Sequence, residues 1–205
     1  MAYQEALSEK LFEGFLEMVP TYTGLTIYFD PLMVMRSKLP GGNPFEKVSG
    51  HLKSIQLKEI NTQRAEHWVS IPVCYEIEFG LDLPELSIQL NLSIEEIIHL
   101  HHETEYTVFM VGFTPGFPYM GITHPGLECK RKQNPRIRIP PGSVAIALNQ
   151  TGIYPLETPG GWQIIGRTPM KLFSVVNHPP ALLKPGDRVK FERISKSEFN
   201  NMIER

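Results

Sequence analysis

Apolar residues recur at Leu7, Leu11, Phe12, Phe15 and Leu16, the spacing of one face of an α-helix. That pattern predicts an amphipathic helix from Met1 to Met18, ended by Val19-Pro20. Residues 25–30 then read as a short strand closed by Pro31. A second helix is signed by Asn43 as cap, Pro44 at the first helical position and Glu46 in a box-like arrangement. Phe45, Val48, Leu52 and Ile55 would share its apolar face. Helices and strands alternating in this way predict a small open-faced sheet with helices on one side.

A different pattern begins near His67. Ile71, Val73, Tyr75, Ile77 and Phe79 are apolar at alternate positions while Glu76 and Glu78 point the other way, which predicts a half-buried strand reaching Phe79. Two helices follow, Leu83 to Leu90 and Ser93 to His102, the second opened by the S-x-x-E capping box of Ser93 and Glu96. Tyr106 to Phe113 reads as another strand. From Gly112 to Gly186 the chain is rich in Gly and Pro, with short β pieces at 144–148 and 162–165, the texture of a barrel or sandwich. The expected fold class is α+β: a small α+β domain over residues 1–70, then a β-barrel domain over 71–205.

Charge divides along a similar line. Residues 1–110 hold 16 Asp and Glu against 7 Lys and Arg, whereas residues 111–205 hold 6 against 13. The basic half suits an anion or an acidic partner, or simply carries a solvated bias. A net charge of -2 without a recognition motif argues against nucleic acid. No apolar run approaches the ~20 residues needed to cross a bilayer, and no signal-peptide pattern opens the chain. Cys74 and Cys129 have neither C-x-x-C spacing nor a nearby His, so no disulfide framework or zinc site is suggested. A cytoplasmic location is expected. The usual phosphate-loop, nucleophile-elbow, H-E-x-x-H and G-x-G-x-x-G signatures are missing from the sequence, which argues against a self-sufficient nucleotide hydrolase or serine esterase.

Three loop clusters carry candidate chemistry. In the first, Pro115-Gly116 has the fixed φ and the φ > 0 position of a type II turn. It gathers Phe113, Phe117 and Tyr119, either as a binding wall or as the plug of a barrel end. In the second, strand alternation over 136–139 places Arg136 and Arg138 on one face. They are either a pair shaped for a carboxylate or phosphate, or ordinary solvated arginines. In the third, Gln150 and Thr151 offer hydrogen-bonding groups near Tyr154, and Gly160-Gly161 exposes backbone N–H groups. Trp162 and Arg167 stand nearby if these loops cluster, and the set would then suit a small amide. Among His99, His101 and His102, only His101 shares the apolar stripe of Ile94, Ile97 and Ile98. The three cannot converge on one ion without other ligands, and no metal is expected. His101 is either a hydrogen-bonded core histidine or the proton carrier of the site.

The ordered motifs G-F-T-P-G-F-P-Y-M-G, P-R-I-R-I-P-P-G-S-V-A-I-A, N-Q-T-G-I-Y-P, T-P-G-G-W-Q-I-I-G-R-T-P and L-K-P-G-D-R-V-K-F lie within Pro20 to Ile194. They resemble the B subunit of bacterial 5-oxoprolinase, a family also called allophanate hydrolase subunit 1, the Kip inhibitor family, or carboxyltransferase subdomains C and D. The resemblance implies a small ferredoxin-like α+β domain followed by a cyclophilin-like β-barrel. It implies a subunit, inactive alone, of a multi-component enzyme that opens 5-oxo-L-proline to L-glutamate with A and C subunits, the complex using ATP. In that role His101 and Arg167 would be catalytic, and Arg136, Arg138, Gln150, Tyr154, Gly161 and Trp162 would contact substrate. Phe113, Phe117 and Tyr119 would form a partner surface. Some relatives resemble inhibitors of a sporulation histidine kinase, so the alternative is a regulatory module docking on a kinase's helical dimerisation domain. Cyclophilin-type prolyl isomerase is a third reading, by fold analogy alone. Family members usually begin with a strand bearing a Gly-Asp pair, whereas this sequence begins inside the following helix. Its first sheet is expected to lack that strand and to leave an edge open to another chain.

Overall fold

The computed structural model describes residues 2–21, 24–56 and 67–203. The chain divides into two units, Met1–Ala65 and Glu66–Arg205. This division falls a few residues before the expected 70/71, because the strand Trp68–Val73 pairs along its whole length within the second unit. No helix of the described residues is long and apolar enough to cross a membrane.

In the first unit, α1 (Ala2–Ser8) is followed by β1 (Phe15–Pro20), β2 (Leu25–Phe29), α2 (Pro31–Arg36) and α3 (Pro44–Ser54). The long helix expected through Met18 does not form. Gly14 takes φ +88°, which no helix interior tolerates, and Phe15 to Pro20 pair antiparallel with β2 instead. Spacing that suits a helix face here serves a strand with a bulge, since Phe15 and Met18 both turn inward across the irregular register. They meet Leu7, Phe12, Val34, Val48 and Ile55 in one small core. Asp30 caps α2 by accepting from the Leu32 and Met33 N–H groups, and Asn43 caps α3 by accepting from Glu46. Lys47, almost wholly buried, donates its ammonium to the Ser37 and Leu39 carbonyls beyond the end of α2. Phe45 does not join the apolar face of α3; it lies in the first turn, at the edge of that stripe, and is 74% exposed.

The second unit is built on a seven-stranded sheet. Its elements are β3 (Trp68–Val73), α4 (Leu83–Leu90), α5 (Ile94–His102), β4 (Tyr106–Val111), β5 (Pro118–Gly121) and β6 (Arg136–Ile139). These are followed by β7 (Ser143–Ala147), β8 (Gln150–Ile153), β9 (Thr158–Gly160), β10 (Gln163–Arg167), β11 (Arg188–Arg193) and α6 (Lys196–Ile203). The strand order is β10-β7-β8-β5-β4-β11-β3, with β6 and β9 forming a separate ladder. β3 runs parallel to β11, and the other pairs are antiparallel. Cys74 and Arg167 exchange backbone hydrogen bonds, and Asp82 N–H donates to the Ile164 carbonyl. These bonds tie the exit of β3 back to β10, so the sheet is a nearly closed barrel.

The strand expected to reach Phe79 stops at Val73. The chain turns through Glu76, whose carbonyl accepts from both Phe79 and Gly80 N–H. That leaves Ile77 half exposed and sets Phe79 against Phe199 of α6 at 4.5 Å. α4 and α5 match the sequence pattern, and the capping box of Ser93 and Glu96 is made in both directions.

Strand alternation sorts the sheet into two faces. Met120, Val144, Ile146, Ile153 and Ile165 pack with Leu83, Leu86, Ile97 and Ile98 of the two helices. Their neighbours Tyr119, Ala145, Ala147 and Ile164 look the other way, toward Phe117, Ile139, Tyr154 and Trp162. Small residues pave this second face: a Cβ on Gly152 would come within 2.7 Å of the Phe117 ring. The aromatic side chains need that floor.

Candidate functional site

The second face opens into a cavity of about 260 Å³ lined by Phe113, Phe117, Tyr119, Arg131, Tyr154, Gly160, Gly161 and Trp162, with Pro135 and Pro159 at its sides. Phe117 is the hub. Its centroid lies 4.8 Å from Tyr119, 5.2 Å from Tyr154, 5.6 Å from Trp162 and 5.7 Å from Phe113, at steep interplanar angles. Edge-to-face rings at these spacings add roughly 0.5–1.5 kcal/mol per pair beyond their burial, so the wall is preformed.

Loop 112–117 holds it in place. Phe117 N–H donates to the Thr114 carbonyl across Pro115-Gly116, with Gly116 at φ +82°. Gly112 N–H donates to Phe117, and Thr114 N–H donates to Gly112 in a three-residue turn. That turn holds Phe113 at φ +69° with 62% of its surface exposed. A positive φ on an aromatic residue is a strained conformation that persists only when its surroundings enforce it. Phe113 is held out at the rim.

Arg131 stands over the Trp162 ring at 5.8 Å. Burial pushes the Tyr119 phenol above its ordinary range, with the Arg131 charge pulling weakly the other way. Burial likewise raises Tyr154, against the opposing hydrogen bond from the Trp162 backbone. Both phenols are neutral donors at physiological pH. A Cβ on Gly160 would overlap the Tyr154 hydroxyl, whereas Gly161 has ordinary room around it. The cavity thus offers flat π-faces, two phenolic donors and one guanidinium. Among the described residues that line it there is no Ser, Cys, His, Asp, Glu or Lys.

The remaining expected residues stand elsewhere. Arg136 does not share a face with Arg138, because the β6–β9 register is irregular between Arg136 and Ile139. Arg136 forks both oxygens of Asp82 at 2.7 Å, while Arg138 is exposed and only 3.7 Å from Glu157. Asp82 also accepts from Lys132 at 2.8 Å and from the Ile164 N–H at 2.7 Å. Burial alone would raise its pKa, but the two cations and the N–H outweigh it and hold the carboxyl below its usual range. Arg136 is a strut between β6 and the start of α4. Arg167 lies at the far end of β10, its Nε donating to the Pro141 carbonyl at 2.8 Å and its guanidinium over Phe199. About 13 Å of strand separates it from Gln163. Gln150 points toward the aromatic face by alternation but does not line the cavity.

His101 has no exposed surface. Its Nδ1 meets the Tyr75 hydroxyl and its Nε2 meets Thr151 Oγ1, each at 2.9 Å, and its ring stacks on Phe191 at 4.6 Å. Thr151 Oγ1 donates onward to the Ala145 carbonyl at 3.1 Å. Thr151 therefore accepts from Nε2–H, and Tyr75 donates to Nδ1. Burial, helped by the neighbouring His102, depresses the imidazole pKa to about 3. A sealed, neutral imidazole is a poor proton carrier, so it is the core reading of His101 that its surroundings fit.

Residues 1–183 match the family described as carboxyltransferase domain, subdomain C and D. The chain is 46% identical over 198 residues to the B subunit of 5-oxoprolinase from Bacillus subtilis (strain 168), covering 95% of this chain and 82% of that protein. The chain belongs to the 5-oxoprolinase B-subunit family. Among solved structures, TTHA0988 is 37% identical with a TM-score of 0.76, covering 95% of this chain and 36% of that one, so the chain spans about a third of it. The Kluyveromyces lactis urea amidolyase, at 18% identity and a TM-score of 0.78 over 99% of this chain and 14% of its own, shares the fold.

Set against this family, the cavity collects seven of the residues singled out in the sequence: Phe113, Phe117, Tyr119, Tyr154, Gly160, Gly161 and Trp162. It leaves out His101, Arg136, Arg138, Gln150 and Arg167. Sequence reasoning missed Arg131, which sits in the basic run 130–132 and is marked by nothing local; only the fold brings it over Trp162. Asp82 was also missed, since its partner Arg136 lies 54 positions away.

Proposed function

We propose that this chain is the substrate-seating component of an ATP-dependent 5-oxoprolinase that opens 5-oxo-L-proline to L-glutamate together with A and C subunits. The observation that carries this reading is the aromatic cavity with Arg131 at its edge, in a chain of the 5-oxoprolinase B-subunit family. A five-membered lactam is flat, small and apolar on its faces. Phe117 and Trp162 would enclose the ring, a Tyr119 or Tyr154 hydroxyl would donate to the lactam carbonyl, and Arg131 would hold the carboxylate.

Neutral phenols steady a carbonyl oxygen as it gains negative charge, which is the direction of amide activation. In this reading ATP is held outside this cavity, whose lining offers one cation and no helix N-terminus for a triphosphate. The nucleotide and the hydrolytic step are therefore assigned to the partner subunits. Purified alone, the chain should show no ATP-dependent hydrolysis of 5-oxoproline, and mixing with the A and C subunits should restore it. In the mixture Arg131→Ala, an exposed substitution that spares the fold, should raise KM about 10- to 100-fold by removing one charge-assisted hydrogen bond. Silence of the mixture, or an unchanged KM, would defeat the proposal.

A second reading is favoured by Phe113, an aromatic ring held out at the cavity mouth by a strained turn. It would anchor a protein segment, such as the helical dimerisation domain of a histidine kinase. Direct binding to such a domain, weakened about tenfold or more by Phe113→Ala, is the expected sign. Equal binding by the variant would count against it.

A further inference from the structure

The last turn of α5 carries three histidines, and only His101 turns into the core. His99 and His102 remain on the outer side, where Glu103 caps the helix. Positions 99, 102 and 103 are spaced i, i+3 and i+4, so their side chains leave one face of the helix. One ligand atom from each of the three lies within 4.8 Å of the others. His102 Nδ1 is 3.2 Å from Glu103 Oε1, and the His99 and His102 rings stand edge to face at 5.7 Å.

We propose that His99, His102 and Glu103 form a surface site for a divalent transition ion of the Zn²⁺ or Ni²⁺ type. Two imidazoles and one carboxylate are the donor set that such ions prefer over Mg²⁺ or Ca²⁺. Ligand atoms about 2.1 Å from a shared ion sit roughly 3–3.5 Å apart. The cluster must therefore close by about an ångström, within reach of χ rotations on the exposed His99 and Glu103 toward the half-buried His102. The negative end of the α5 dipole favours a cation at this position. Lys190 and Arg193 act on His102 from β11 and oppose it, while the Glu95 carboxylate, forked by Arg193 at 2.6 and 3.0 Å, offsets them. Three protein ligands leave coordination positions open to water or to a group from another molecule.

The histidines alone do not mark this site, because His101 turns into the core and the third ligand is a glutamate. The site lies apart from the aromatic cavity and stands or falls independently of the proposed function.

Calorimetric titration of the full chain with Zn²⁺, and separately Ni²⁺, is expected to show one ion bound per chain. His99→Ala and Glu103→Gln should each weaken binding about 10- to 100-fold, and the double variant should abolish that step. Co²⁺ titrated into the same proteins should give a visible d–d band in the wild type that fades in the variants. Tryptophan fluorescence should stay unchanged, because both substituted side chains are exposed. No binding by the wild type, or affinity and Co²⁺ spectrum unaltered in the double variant, would overturn the proposal.

Discussion

Replacing Asp82 by Ala is expected to destabilise the second unit by about 3 kcal/mol. The carboxylate is 1% exposed and accepts four hydrogen bonds, two from Arg136, one from Lys132 and one from the Ile164 N–H. Its removal loosens three segments together: the start of α4, the β6–β9 ladder and the first two residues of β10. The effect is asymmetric. Arg136 and Lys132 keep 26% and 18% of their side chains exposed and can be hydrated once unpaired.

Arg136→Ala should cost somewhat less, about 2 kcal/mol, because Lys132 and the backbone N–H still serve the buried carboxylate. Both tryptophans, Trp68 and Trp162, lie in the second unit, so urea unfolding followed by fluorescence reads it directly. An Asp82→Ala variant within about 1 kcal/mol of wild type would show that the network is incidental. Linkage gives a further sign. A carboxyl whose folded pKa is lowered stabilises the fold above its unfolded pKa, and that contribution is lost as pH falls through the folded value.

The same network explains why part of the site was legible in the sequence and part was not. Local chemistry wrote the Thr114–Phe117 turn and the Ser93 cap, and each of these could be read from neighbours a few positions apart. Phe117, Tyr119, Tyr154 and Trp162 could be nominated because aromatic residues beside glycines are conspicuous. What they bind could not, since Arg131 reaches Trp162 only through the fold. The arginines of β6 misled for a physical reason. An isolated guanidinium looks like a ligand for a substrate carboxylate, and nothing near Arg136 in the chain reveals that Asp82 already fills that role. At the other end, Leu11, Phe12, Phe15 and Leu16 carry a helical period that Gly14 and pairing with β2 override. Sequence periodicity constrains local geometry, and long-range pairing decides between the solutions it leaves.

His101 offers the sharpest test of how the barrel core behaves. The protein should lose stability as pH falls below about 6.5, at up to about 1.4 kcal/mol per pH unit, reaching about 2 kcal/mol at pH 5 from this residue alone. The unfolded imidazole takes up its proton near 6.5, whereas the folded one does so only near 3. Between those values the unfolded state binds more protons, so acid draws the equilibrium toward it. Stability from this group is complete above 6.5 and disappears as pH drops toward 3. His101→Gln removes the titration while keeping an amide able to donate to Thr151. It should lower stability at neutral pH through lost stacking on Phe191 and the poorer fit of an amide between Tyr75 and Thr151, yet flatten the pH dependence between 6.5 and 5. Urea midpoints measured at several pH values, with tryptophan fluorescence as the probe, compare the two slopes. Carboxylates titrate mostly below that window, and the histidines shared by both proteins cancel in the difference. Parallel slopes would mean that the folded imidazole still accepts a proton, and the sealed, neutral core histidine would have to be abandoned in favour of a group open to the site.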